Sequence, residues 1–499
     1  MRKWGPLTAI CLSTFMLLLD VTIVVVALPD MAHSLDASLS DLQWVVDGYA
    51  LALAALLLGA GAAADIVGRR RVHVAGVVVF AVASLLCGVS SGPGMLVAAR
   101  VLQGLGAAAM FATTLPLLGS VYQGRERGAA LGVWGAVSGA AAAVGPLLGG
   151  VLTEGPGWRW IFFVNVPVSV VTVWLSLKVV PESRGTRGMR GMRVDWAGMA
   201  TFAVFAGGMT YAMVRAGEHG WASAGTSTAF GLAAAALVAF VLVERRVAHP
   251  LLDLALLGKP AFVGVLVGAL AFDGVAFGVI AYESIWMQTL LGMDPVDGGL
   301  ALLPLPAAAM VVAMTVGALS HRVTARWTIV AGLLLLAAGS FAQAFLDAGS
   351  DWTSLVLGLV LVGVGTGLLS PTVSGAALAA VPAERSGMAG GVVNTLRQLG
   401  YALMVAVYGT VLTSRMGDTL PHDAAHTLAG GGAAFLRHGF PEHVLRSAFA
   451  SGLNSALVTA GSAGLVAGLA VLALVRGPRR AAGTGGDTAP AEQAPVTGQ

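Results

Sequence analysis

Long apolar runs in this chain are broken by a few charged side chains, Asp20, Arg100, Asp273 and Glu283, placed well inside the runs rather than at their ends. A carboxylate inside a lipid-crossing helix costs roughly 3 kcal/mol or more unless it is paired, hydrated or protonated for part of the time. Reversible proton binding is the chemistry that suits such a residue. Asp20 lies about nine residues, or roughly 13 Å of helix, before Pro29, and Arg100 stands at a compatible depth in another run. If the two approach, a fixed cation competes with the proton for the carboxylate; the alternative is a static structural ion pair. Gln103, one helical turn from Arg100, shares its face and suits hydrogen bonding to a substrate or water.

Asp273 stands in the middle of its own run and is read as the counterpart of Asp20. Glu283 lies further along the same run on another part of the helix face. Either suits attraction of a cationic solute or carriage of a second proton. Tyr282, Trp286 and Gln288 around Glu283 suit an amphipathic substrate, although aromatics near a membrane interface also serve as lipid anchors. Arg397, read as lying just inside its run, is expected to snorkel to the membrane surface.

The elements that position these residues follow from composition. Of 499 residues, 57% are hydrophobic and 11% charged, with mean hydropathy +0.83. That is roughly half the charge of a soluble globular chain. Apolar windows between polar breaks predict transmembrane helices over 7–28, 44–64, 73–91, 95–117, 131–152, 161–180, 196–215, 226–243, 261–290, 298–319, 327–346, 352–374, 389–413 and 454–475. Continuously apolar runs favour helices over barrel strands, which alternate in polarity. An even count puts both termini on one side. Arg69, Arg70 and Arg71, the arginines from Arg184 to Arg193, and Arg476 to Arg480 then fall on that side, whereas the connections 30–41, 294–297 and 347–351 carry no Lys or Arg. The bias marks the termini as cytoplasmic. Two longer polar stretches stand out: residues 415–451, outside, with a short surface helix expected over 442–449, and 477–499, a disordered tail.

Asp65-Ile66-Val67-Gly68-Arg69-Arg70 after the second span has a degenerate echo in His321-Arg322-Val323-Thr324-Ala325-Arg326 after the tenth. Glu126-Arg127-Gly128 is echoed by Glu384-Arg385-Ser386-Gly387 at the same offset. Two six-helix halves around two extra helices explain both. The expected domains are 1–182, a first six-helix bundle; 183–260, two additional helices and linkers; 261–476, a second bundle; and the tail 477–499.

Several functions are disfavoured by the same residues. The three lysines, Lys3, Lys178 and Lys259, follow no phosphate-cradling glycine loop, so an ATP-driven pump is not expected. Gly363, Gly365 and Gly367 sit within an apolar span and read as helix packing. His422, His426, His438 and His443 are irregularly spaced and form no metal signature. No enzyme activity, cofactor, metal or nucleic-acid partner is expected. Cys11 and Cys87 read as small packing residues.

Several segments resemble the major facilitator superfamily and, within it, the fourteen-span drug and proton antiporters. The segments are Leu19-Asp20-Val21-Thr22 through Pro29; Asp65 with Gly68, Arg69 and Arg70; Arg100-Val101-Leu102-Gln103-Gly104; and Gly145-Pro146 with Gly149 and Gly150. Trp158 to Pro167 and Asn394 to Gly400 are similar to the same group. Ile66 and Ala141 depart from its usual pattern. The resemblance implies an all-α integral membrane protein of the major facilitator fold, with about fourteen transmembrane helices as six plus two plus six. It implies proton-coupled export of hydrophobic or amphipathic drugs or antibiotics across a bacterial plasma membrane by alternating access, with resistance as the outcome. Asp20, Arg100 and Asp273 would couple protons. Gln103, Glu283, Tyr282, Trp286 and Gln288 would bind substrate. Asp65, Gly68, Arg69, Arg70, Gly145, Pro146, Gly149 and Gly150 would serve gating, with Gly145-Pro146 read as interrupting its helix and Gly149-Gly150 as thinning it. A proton-coupled importer of a small metabolite and a non-transporting membrane sensor are the alternatives.

Overall fold

The computed structural model describes residues 3–37, 39–184, 195–247, 252, 254–319, 324–382 and 386–475. The expected tail and the echoes at His321, Arg322, Glu384 and Arg385 lie outside the described residues.

Among the described residues the chain is all helical. It opens with α1 (Gly5–Leu35), α2 (Leu39–Val67), α3 (Arg69–Gly88), α4 (Pro93–Val121), α5 (Gly124–Glu154), and the abutting α6 (Trp160–Phe163) and α7 (Asn165–Val179). A hairpin follows, α8 (Trp196–His219) and α9 (Ala224–Glu244). Next come α10 (Pro260–Phe277), α11 (Ile280–Ile285), a π-helical turn Trp286–Leu290, α12 (Pro295–Ala301), α13 (Pro304–Leu319), α14 (Ala325–Gln343) and α15 (Thr353–Ala379). The last are α16 (Ser386–Met416), α17 (His422–Ala429), α18 (Ala433–Leu436) and α19 (Glu442–Leu474). Among the described residues, eleven helical stretches are long and apolar enough to cross a membrane. Leu232, Val238, Leu357 and Val466 stand exposed on their flanks, where a water-soluble protein would carry charge.

Helices on either side of the α8–α9 hairpin pack in one recurring pattern. α3 packs on α4, α2 on α4, α1 on α5 and α7, and α3 on α7; correspondingly α14 packs on α15, α13 on α15, α10 on α16 and α19, and α14 on α19. Glycine contacts fix the register. A Cβ on Gly104 would meet the Tyr49 carbonyl and Ala52, and one on Gly363 would meet the Leu305 carbonyl and Ala308. Gly106 faces Gly76 and Phe80 in the same way that Gly365 faces Gly332 and Leu336. Helices this close need small residues where they cross. The two sets meet along α2 against α16 and α5 against α13, and α8 lies against both α2 and α16.

Three local expectations change. Gly145 and Pro146 do not interrupt a helix: α5 runs unbroken from Gly124 to Glu154. Residues 442–449 form no separate surface helix, because they are the first turns of α19. The run 261–290 is not one regular helix. It turns at Gly278 and Val279 and resumes as α11 before its π-helical end.

Candidate functional site

Asp20 stands midway along α1, roughly 23 Å by helical rise from either end. Around it α4 presents Arg100 and, one turn on, Gln103; α3 presents Ser84, α7 presents Asn165, and α2 presents the Tyr49 ring. Arg100 Nη1 donates to Asp20 Oδ2 at 2.6 Å and to Gln103 Oε1 at 2.7 Å. Gln103 Nε2 donates to Asp20 Oδ1 at 2.8 Å and to Ser84 Oγ at 2.9 Å. Asn165 Nδ2 donates to Asp20 Oδ1 at 2.9 Å. Arg100 Nε donates to the Val45 carbonyl at 2.9 Å, and its guanidinium lies 4.3 Å from the centre of the Tyr49 ring. All of these side chains are buried, Asp20 completely.

The carboxylate is thus met by three donors from two neighbouring helices, and the cation is held by α2 and α4 as well as by its counter-ion. A buried pair with its remaining hydrogen bonds satisfied survives in a low dielectric; a half-satisfied one does not. The arrangement provides a carboxyl group that a proton can neutralise, and a guanidinium with other acceptors to hold it when that happens. Sequence reasoning paired Asp20 with Arg100 correctly in depth. It missed Ser84, Tyr49 and the role of Asn165, which were visible only as polar side chains inside apolar runs. Gln103 is bonded to the pair on both ends of its amide.

In the second set the arrangement differs. Arg397 does not snorkel: its Nε and Nη2 donate to Asp273 Oδ2 and Oδ1 at 3.0 and 2.9 Å. The reason is depth. α16 begins at Ser386, so Arg397 lies about three turns in, roughly 16 Å from the helix start. The guanidinium also packs 4.9 Å from the Phe272 ring centre. Both partners keep 12–13% of their side-chain surface accessible, unlike Asp20 and Arg100.

Around Glu283 the expected residues separate. Tyr282 Oη donates to the Val405 carbonyl of α16 at 3.1 Å. Gln288 Nε2 donates to Ser284 Oγ at 2.8 Å, and Trp286 is buried. Glu283 points into the interior of its own helix set. Arg446, on α19, donates to the Leu290 carbonyl at 3.0 Å, and Arg437 to that of Thr289 at 3.2 Å. These cations satisfy carbonyls at the end of the π-helical turn and suit its dipole.

At the end of α2, Asp65 pairs with Arg69 at 2.8 Å across the break at Gly68, and both are buried. Gly68 has φ +127°, and a Cβ there would meet the Glu182 carboxylate. Glu182 accepts from the Arg70 backbone amide at 3.1 Å and lies 3.9 and 3.7 Å from the Arg70 and Arg71 side chains. Sequence reasoning missed Glu182, which ties the α2–α3 connection to the end of α7. On α5, a Cβ on Gly145 would collide with Thr22, two residues beyond Asp20. Gly149 is buried, Gly150 faces Val296, and the Pro146 side chain lies outside those described.

The sequence profile of the Major Facilitator Superfamily matches residues 10–405. The chain belongs to this superfamily. It is a multi-pass membrane protein of the transporter type. It is 36% identical over 418 residues to the multidrug resistance protein Stp of Mycobacterium tuberculosis, covering 83% of this chain and 77% of that one. To the tetracenomycin C resistance and export protein of Streptomyces glaucescens it is 33% identical over 493 residues, covering 94% and 91%. Among solved structures, that of the human organic anion transporter MFSD10 superposes with a TM-score of 0.64 at 12% identity, covering 94% of this chain and all of that one, a likeness of fold.

Proposed function

We propose that this chain is a proton-coupled antiporter that exports hydrophobic or amphipathic drugs or antibiotics across a bacterial plasma membrane, and so confers resistance. The observation that carries the reading is the closed network of Asp20, Arg100, Gln103 and Asn165. A fully buried ion pair at mid-depth is costly as mere packing and well suited to exchanging a proton. The resistance and export names of the relatives support the direction and the substrate class.

In the cycle, a proton entering from outside neutralises Asp20, and Arg100 rests on the Val45 carbonyl, Gln103 and the Tyr49 ring. On the inner side Arg100 reclaims the carboxylate and the proton leaves to the cytoplasm as drug binds. Asp273 with Arg397 couples the second half to the same step. Tyr282 and Gln288 are the drug contacts that remain half-accessible, and the buried Gln103, Glu283 and Trp286 join them only when their own helix sets rearrange. Gly68, Asp65, Arg69, Arg70 and Glu182 hold the inner gate. Gly145, Pro146, Gly149 and Gly150 let α5 slide closely on its neighbours.

The recurring helix pairs support alternating access by rocking of two bundles, 1–182 and 261–476, with 183–260 as the inserted hairpin. Fourteen spans, with both termini cytoplasmic, complete the topology. Everted vesicles given a lipophilic dye such as ethidium test the reading. Proton-driven uptake that disappears in Asp20→Asn supports it. Accumulation of the dye by right-side-out cells that express the protein sinks it.

A further inference from the structure

The register fixed by the glycine contacts identifies what stands in the second helix set where the Asp20 network stands in the first. One constant shift along the chain carries Tyr49 to Leu305, Ser84 to Ser340 and Cys87 to Gln343, and α10 brings Ala276 to the same place. A slightly longer shift, the one that carries Gly104 to Gly363, takes Arg100 to Leu359 and Gln103 to Val362. Leu305, Ser340, Gln343, Ala276, Leu359 and Val362 all line one small cavity. The position of the ion-pair network is therefore retained as a space, with its arginine and glutamine replaced by aliphatic side chains. Asp273, three residues before Ala276, faces α16 and lies outside this cavity.

Into this cavity projects Glu283, 2% exposed. Its Oε2 has no hydrogen-bond partner among the described residues, and neither does Gln343 Oε1 in the same lining. Of the elements around it, α10 contributes Val275 and Ala276, the break Val279, α11 Ile280, α13 Leu305, α14 Ser340 and Gln343, α15 Leu359 and Val362, and α19 Leu457; none of these is charged. Arg437 and Arg446, toward the outer end, are committed to the Thr289 and Leu290 carbonyls. Two acceptor oxygens facing one enclosed space, with no cation among the lining residues, lack a hydrogen. A proton supplies it, turning the Glu283 carboxylate into a donor. An ionised carboxylate here would carry the full desolvation cost with no counter-ion to offset it.

We propose that Glu283 is a second proton-binding site of this protein, held as the neutral acid in the enclosed state, with Gln343 and Ser340 as its hydrogen-bonding partners directly or through water. The site lies about two turns from the end of the π-helical turn, so a rearrangement there opens it toward the outer side, where the carboxyl releases its proton to water and is later reprotonated. The break at Gly278 and Val279 leaves α11 as a short separate segment able to make that movement. The existence of the site is independent of the antiport reading; only its use in transport rests on it.

Infrared difference spectroscopy of the full-length chain in lipid nanodiscs, recorded between acidic and alkaline buffer, tests the site. A protonated-carboxyl stretch is expected that is lost in Glu283→Gln, displaced in Glu283→Asp, shifted in Gln343→Leu and retained in Asp20→Asn. Matching thermal unfolding of the isosteric Glu283→Gln variant checks that the fold is kept, and the aspartate variant gives the same information should it not be. Spectra in which Glu283→Gln and Glu283→Asp leave every protonated-carboxyl band unchanged overturn the proposal, as does a carboxylate signal at Glu283 that responds to sodium and not to pH. Ethidium transport read in parallel separates the two readings: a Glu283 band together with dye movement indifferent to Asp20→Asn keeps the site and removes the antiport.

Discussion

The two helix sets share a scaffold and differ in how they treat charge. In the first, Asp20 and Arg100 are sealed from solvent and both oxygens of the carboxylate are met by donors from α4 and α7. In the second, the corresponding positions of α13, α14 and α15 line a cavity that Glu283 enters with Ser340 and Gln343, and the ion pair lies at the α10–α16 contact, where it stays partly accessible. The glycine crossings that set helix spacing are alike in both sets. Backbone geometry and polar chemistry have thus separated: the crossings depend on the absence of side chains, which both copies keep, whereas a buried ion pair needs all of its partners together and is lost as a unit.

Substitutions can break this contrast or sharpen it. Arg100→Ala should be the most damaging, leaving Asp20 buried without its cation at a cost of about 3–5 kcal/mol. It is measured as thermal unfolding in detergent, alongside loss of dye export. Gly106→Val and Gly365→Val should each cost about 1–3 kcal/mol by overpacking. Similar losses for the two confirm that the crossings are equivalent, and a loss confined to one copy would break the comparison. Arg397→Ala should cost less than Arg100→Ala, about 2 kcal/mol, because water reaches Asp273 and takes over part of the solvation. A cost as large as that of Arg100→Ala would show the second pair to be as closed as the first. Asn394→Ala removes a 3.3 Å bond from Nδ2 to the Phe111 carbonyl that joins α16 to α4. It should cost about 1 kcal/mol in unfolding and change the rate of dye exchange more than the stability.

Much of this was legible in the chain. Apolar runs located the helices because lipid demands them, and Asp20 could be matched with Arg100 because a buried charge at mid-depth requires a partner at the same depth. Arg397 was read as too shallow. Its helix starts earlier than the apolar window suggests, since the first turns of α16 are small and polar, and its partner Asp273 lies 124 residues away on another run. The Gly145-Pro146 pair looked like a break, but the helix continues through it. The actual discontinuity, at Gly278 and Val279, lies in a stretch so uniformly apolar that hydropathy gives no sign of it. Glu182 escaped because its partners are a backbone amide and arginines distant in sequence.

The α8–α9 hairpin gives the molecule a back and a front. α8 spans the seam where α2 meets α16, and the hairpin is pinned there by Trp221 Nε1 donating to Thr410 Oγ1 at 2.8 Å and by the stacked rings of Trp44 and Tyr211. Among the described helices, no comparable cover lies over the other seam, between α5 and α13. That seam is instead shut by α5 lying directly on α13, where Gly135 and Gly139 bring the α5 backbone against Ala313 and Pro306, so one side of the molecule is sealed by an added hairpin and the other by close approach alone.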